Sequence, residues 1–248
     1  MADSVNSPEN SREHPWHARR LSVKHYESFQ GLVAFHELTQ AWLADLKIDQ
    51  KSNLISRGVS SQFSADVWML ASLAKAKLED LLDDSTPDEL LSRIEHTVWG
   101  NQVWTLMNLQ AQTSGVEKSA LQSRLEQTSF KVGREYGAKR WPKFEGSGDL
   151  RRILLAMIEI PLFSGVGSEA LLICRSVPHA VKVELRVCPH QRPFSALKDV
   201  QDLLCQLHNH WMRGYAYSLN SKIVWEYQPQ RPRCTQNWRL PEIADRAH

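Results

Sequence analysis

Three of the four cysteines of this 248-residue chain fall between residues 188 and 234, each on a different expected element. Cys188 closes a strand, Cys205 lies inside an amphipathic helix with His208 three residues on, and Cys234 opens a last strand. Soft ligands carried by separate elements can meet on one zinc or iron ion only through the fold, with sulfur about 2.3 Å from the metal. If Cys188, Cys205, Cys234 and His208 all bind, such a site is closed and structural. With three protein ligands and an open position it would polarise water for amide or amidine hydrolysis. The same residues admit a nucleophilic cysteine with His208, His210 or His190 as its base. They also admit cysteines that only pack. The catalytic candidates are Cys188, His208 and, from a polar sheet face, Glu226.

The elements that would hold these groups can be read from alternation. Val181, Val183, Leu185 and Val187 point one way; Lys182, Glu184, Arg186 and Cys188 point the other. Val200, Leu203, Leu204, Leu207, Trp211 and Tyr215 make a helical stripe, with Cys205 and His208 on one flank. Ile223, Trp225 and Tyr227 alternate with Val224, Glu226 and Gln228, and Cys234, Gln236 and Trp238 share one face of the final strand. A strand over Ala170 to Arg175 is apolar enough to be central, and Cys174 reads there as a small buried hydrophobe. Pro178-His179 turns it into the next strand. The class is α+β: a helical N-terminal half, then a four-stranded, mainly antiparallel sheet in ββαββ order. One sheet face is covered by helices. The other carries Glu184, Arg186, Glu226 and Gln236, as solvated groups or as the polar wall of a pocket. Trp99, Glu184, Arg186, Trp211 and Tyr215 are the candidate substrate-binding residues.

Cys188-Pro189 after a strand, the helical Cys205, Asn220-Ser221-Lys222-Ile223 and Cys234 together resemble the L-2-amino-thiazoline-4-carboxylic acid hydrolase family. The resemblance covers the last third of the chain. A looser architectural likeness is to the 4-vinyl-reductase type of small-molecule-binding domain, which implies two strands, a helix and two strands behind a helical lead-in. What the family resemblance implies is hydrolysis of a C–N bond in a cyclic amidine or amide.

The N-terminal half reads as helices. Residues 1–20 are polar and aperiodic, a disordered tail. From Ser22, Tyr26, Phe29, Val33, His36, Leu38, Trp42 and Leu46 recur at helical spacing; His25 and His36 read as partnered or solvated rather than as metal ligands. Lys47 to Ser61 reads as a loop, and a helix is predicted over Gln62 to Asp83. Thr86-Pro87-Asp88-Glu89 is a capping box with proline in the first turn, opening a long helix to about Thr113 in which Gly100 is a weak point. Glu95, His96, Trp99, Asn101 and Gln102 form a polar-aromatic cluster on it: a helix surface with a tryptophan anchor, or a substrate-facing wall. Ser114-Gly115 breaks the chain before a helix from Val116 to Arg140, where Gly133 and Gly137 permit close approach of another element. Leu150 to Ile160 is a short buried helix ended by Pro161, and Ser164-Gly165-Val166-Gly167 is a turn. Trp42, Trp68, Trp99 and Trp104 are expected to be buried.

Bulk properties narrow the classes. A net charge of +2 argues against nucleic acid as partner. No apolar run is long enough to span a membrane. Four cysteines do not make a disulfide framework and point to a reducing compartment, the cytoplasm. The expected units are the tail (1–20), a helical region (21–160) and the ββαββ region (161–248), packed as one. The favoured function is a small-molecule hydrolase, metal-assisted through zinc or iron if the Cys/His site forms. The alternatives are a non-catalytic, sensor-like domain with an aromatic pocket, and a helical partner-binding subunit; a homodimer would form through the N-terminal helices.

Overall fold

The computed structural model describes residues 21–48, 69–82, 85–144, 148–158, 171–185, 197–230 and 233–241. The tail, residues 49–68 including Trp68, Pro161 and the expected 164–167 turn, and Arg186, Cys188 and His190 lie outside the described residues.

The helical half forms as its patterning requires. α1 spans Val23–Asp45; at its start the Ser22 amide donates to His25 Nδ1 at 3.0 Å. The expected helix over 62–83 is interrupted. Residues 69–73 are helical, a turn follows, and α2 resumes as Leu78–Leu81. Leu70, Leu73 and Leu78 are all buried. A continuous helix would carry Leu78 five residues, or some 140°, around from Leu73 at 3.6 residues per turn. The turn returns it to the core, and the Ser72 carbonyl accepts from both the Lys75 and Ala76 amides.

α3 spans Pro87–Ala111 and runs unbroken through Gly100. Its capping box is formed: the Glu89 amide donates to Thr86 Oγ1 at 3.3 Å, and the Thr86 amide donates to Glu89 Oε2 at 2.8 Å. Gly115, at φ +52°, turns the chain into α4, Val116–Arg140. α5 is Leu150–Ile158.

The C-terminal part is α+β as expected. β1 (Leu171–Val177) and β2 (Ala180–Leu185) form a hairpin, α6 (Lys198–Leu219) crosses over, and β3 (Val224–Gln230) pairs with β4 (Arg233–Arg239). The sheet is antiparallel throughout, in the order β1-β2-β4-β3. This corrects the placing of the first strand: β1 is an edge, and β2 and β4 are central. β1 pairs on one side only, and α5 packs on β1 and β2. At Cys174 the β1–β2 register slips, with Ile173 opposite Val183 and Arg175 opposite Lys182. A bulge at an edge weakens it as a template for further strands.

Register also corrects Gln236. It stands opposite Val183 and Tyr227, between the rows of Cys234 and Trp238, and is buried. It therefore belongs to the covered face. The opposite face carries Glu184 opposite Thr235, which is buried, and Glu226 opposite Asn237, with Arg239 paired to Glu226. On the covered face Trp225 and Trp238 stack at 4.5 Å. Trp225 Nε1 donates to Asn209 Oδ1 of α6 at 2.8 Å, tying helix to sheet.

α6 also belongs to the bundle. Gln122 meets Gln206, Glu126 meets His210, and Phe130 meets Gly214, a constant spacing of 84 residues. Partner numbers that rise together mean that α4 and α6 run parallel. Glycine sets their separation. A Cβ on Gly133 would lie 1.9 Å from the Trp211 carbonyl oxygen, and one on Gly214 would lie 2.0 Å from that of Phe130. The N-terminal helices and the sheet thus share one core through α6, and the apolar stripe of α1 is spent inside it.

Candidate functional site

Because glycine lets α6 sink against α4, the rest of α6 presents its stripe to α1 and α3. His208 and Trp211 point there, one helical turn apart. His208 is 1% exposed and stacks on Phe35 of α1, with ring centroids 4.7 Å apart; the edge-on ring of Trp99 from α3 closes a second side at 5.5 Å. Phe35 also touches Trp211 at 5.4 Å, and Trp211 continues to Tyr136 and Tyr215. The Tyr215 hydroxyl donates to the Ala156 carbonyl at 3.2 Å and accepts from Trp141 Nε1 at 2.5 Å. An aromatic seam therefore runs from α3 through α6 to α5.

One side chain joins the three helices by hydrogen bonds. Gln102 of α3 is fully buried; its amide nitrogen donates to the Phe35 carbonyl at 2.9 Å, and its Oε1 lies 3.0 Å from His208 Nε2. With the amide nitrogen committed to Phe35, the oxygen that faces His208 can only accept. His208 Nε2 must carry the proton.

Other buried polar atoms on these helices have no hydrogen-bond partner among the described residues: His36 Nδ1, adjoining Phe35 in sequence; Asn101 Oδ1, adjoining Gln102; and Trp211 Nε1. The polar-aromatic cluster predicted on α3 divides accordingly. Trp99, Asn101 and Gln102 are buried, Glu95 is half-buried, and His96 is exposed.

The structure gathers some of the candidate residues and separates others. Trp99, His208, Trp211 and Tyr215 share the seam. Glu184 and Glu226 lie on the opposite side of the sheet from Trp225 and Trp238, whereas α6 with His208 lies beyond the side of those tryptophans. His208 and Glu226 therefore do not act on one atom. Cys188 and Arg186 are outside the described residues. His210, the other described candidate base, stands 3.7 Å from Glu126 on α4, and burial pushes its imidazole down.

Cys205 and Cys234 are buried and unbridged, and the Tyr227 hydroxyl donates to Cys234 Sγ at 3.5 Å. Among the described residues no three metal-ligating side chains converge. His208 Nε2 is held by Gln102, so His208 fits poorly as a fourth ligand through that nitrogen. The zinc or iron expectation rests on Cys188.

The chain matches no protein-family model, no curated protein and no solved structure. The site therefore stands on its own geometry.

That geometry favours neutral groups. Burial pushes the Glu95 carboxyl up and the His36 imidazole down to about 4. The unfolded chain binds a proton at His36 below its ordinary 6.5 that the folded chain refuses until about 4. Between those values the unfolded state holds more protons, so stability falls as pH falls. At pH 5 the expected loss is about 2 kcal/mol, at ~1.4 kcal/mol per pH unit. His36→Leu is expected to remove that slope. Urea unfolding at pH 7 and pH 5 checks it; equal slopes in both proteins would exonerate His36.

Sequence reasoning passed over Phe35 and gave Gln102 no role of its own. The available signal was a glutamine among apolar positions of a long helix, seven residues after Glu95 and three after Trp99 on the same side.

Proposed function

We propose that this protein binds a small, planar organic molecule of the cyclic amide or amidine class against the buried wall made by α1, α3 and α6. The observation that carries this reading is that α1, α3 and α6 each bury a polar atom without a partner among the described residues, His36 Nδ1, Asn101 Oδ1 and Trp211 Nε1, in a bundle whose helices also bring Phe35 and Trp211 into ring contact. Each such atom costs about 1–3 kcal/mol if left unsatisfied. A flat ring with adjacent donors and acceptors matches aromatic surfaces and offers those bonds. The two unbridged cysteines fit a reducing compartment, and we place the protein in the cytoplasm on that ground. No described helix is long and apolar enough to cross a membrane.

Thermal unfolding with 2-aminothiazoline and with a neutral lactam tests the reading. A saturable rise in Tm is expected from at least one, lost in Asn101→Leu and reduced in Trp99→Ala. No shift from either ring class sinks the proposal.

A hydrolytic reading of the same wall is favoured by Glu95. It lies on the side of α3 that carries Trp99 and Gln102, and burial pushes its carboxyl up, in the direction that favours the protonated form. After water adds to the amidine carbon, such a group can protonate the departing ring nitrogen. Glu95→Gln is then expected to retain the Tm shift and lose release of the ring-opened product. Product formation at the unmodified rate in that variant would remove Glu95 from the reaction.

A further inference from the structure

A second place on the molecule combines shape with balanced charge. Between α1 and α4 lies an open groove of about 400 Å³, inside the range of small-molecule sites. Val33 and Val132 line its apolar sides, and Tyr136 is its floor. The Tyr136 ring is fixed from beneath by Trp211 and Tyr215. Glu37 borders the groove from α1; Glu135, Lys139 and Arg140 border it from α4. Burial pushes the Tyr136 hydroxyl up, with the Arg140 cation acting against that and the Glu37 anion adding to it, and both charged residues border the groove. Neither Glu37 nor Lys139 makes an ion pair among the described residues, although each lies beside groups of opposite sign.

We propose that this groove binds a small zwitterion of the amino-acid class. Its ammonium sits against Glu37, its carboxylate against Lys139 beside Arg140, and its carbon chain between Val33 and Val132. The Tyr136 hydroxyl hydrogen-bonds the bound molecule. A ligand with one charge satisfies half of this border and leaves the opposite half facing its like-charged neighbour or water. A zwitterion satisfies both halves, and its two charges need no net change in the protein.

The test is a protein-observed NMR titration of the full chain with ε-aminocaproate, caproate and hexylamine as probes. Saturable shifts of the amides of residues 30–37 and 132–140 are expected with ε-aminocaproate, and about tenfold weaker binding of each singly charged analogue. Glu37→Gln and Lys139→Met are each expected to weaken ε-aminocaproate about tenfold, the worth of one charge-assisted hydrogen bond. Both residues are exposed, so both variants should keep the wild-type amide spectrum. Tyr136→Phe should lose several-fold, while Asn101→Leu, in the buried wall, should bind unchanged. No saturable shift, equal binding of either analogue, or undiminished affinity in both charge variants overturns the proposal.

Discussion

Gly133→Val is expected to unfold the protein or destabilise it by about 4 kcal/mol, beyond the usual 1–3 kcal/mol of core overpacking. On helix propensity alone, replacing a mid-helix glycine should help by up to about 1 kcal/mol. The sign reverses because the added carbon meets the backbone of Trp211, with its carbonyl oxygen at 1.9 Å. No rotamer relieves that contact, so α4 and α6 must part. Separation would loosen Trp211, and with it its tilted ring contacts with Phe35 and Tyr136. Gly100→Ala supplies the comparison: nothing lies within 4 Å of its added carbon, so a modest gain is expected. Urea unfolding of the two variants decides the matter. A Gly133 variant as stable as the native chain would mean that the helices are not held at glycine distance.

Gln102→Leu is expected to cost about 2–4 kcal/mol, because it strands His208 Nε2 and takes a donor from the Phe35 carbonyl in a dry interior. His208→Phe alone strands Gln102 Oε1 and should cost less. The informative protein is the double variant. With both polar partners replaced by apolar groups of similar size, it should be more stable than Gln102→Leu alone. Additive losses in the cycle would show that the two residues do not act as a pair.

Much of this architecture was legible because it depends on patterns within single elements. The alternation of residues 181–185 and 224–228, the Thr86 capping box and the small-residue face of Gly133 and Gly137 each report local geometry, and local geometry was kept. What depended on pairing between elements was not legible. Whether Gln236 joins Glu226 or Tyr227 is decided by the β3–β4 register, which no alternation within β4 specifies. The same applies to β1, whose apolar residues do not reveal that it takes an edge of the sheet. It applies most to the chemical candidates. Cys205, His208 and Glu226 are near one another along the chain, yet the sheet stands between His208 and Glu226. Gln102, 106 residues from His208, proved to be the imidazole's partner.

The parallel pairing of α4 with α6 has a consequence for the order in which the molecule assembles. Antiparallel neighbours can zip up from a short turn, but parallel ones need the chain to travel back, and here α5 and the β1–β2 hairpin make the return. The α4–α6 contacts described above close loops of 78 to 84 residues, which are entropically slow to form. As the chain leaves the ribosome, α4 emerges complete while its partner has still to be made. Its glycine face and the residues that will cradle Trp211 stay uncovered through that interval. Nascent chains of this protein should therefore depend on chaperones until α6 is available, and truncation before residue 219 should yield aggregation-prone helices rather than a smaller folded bundle.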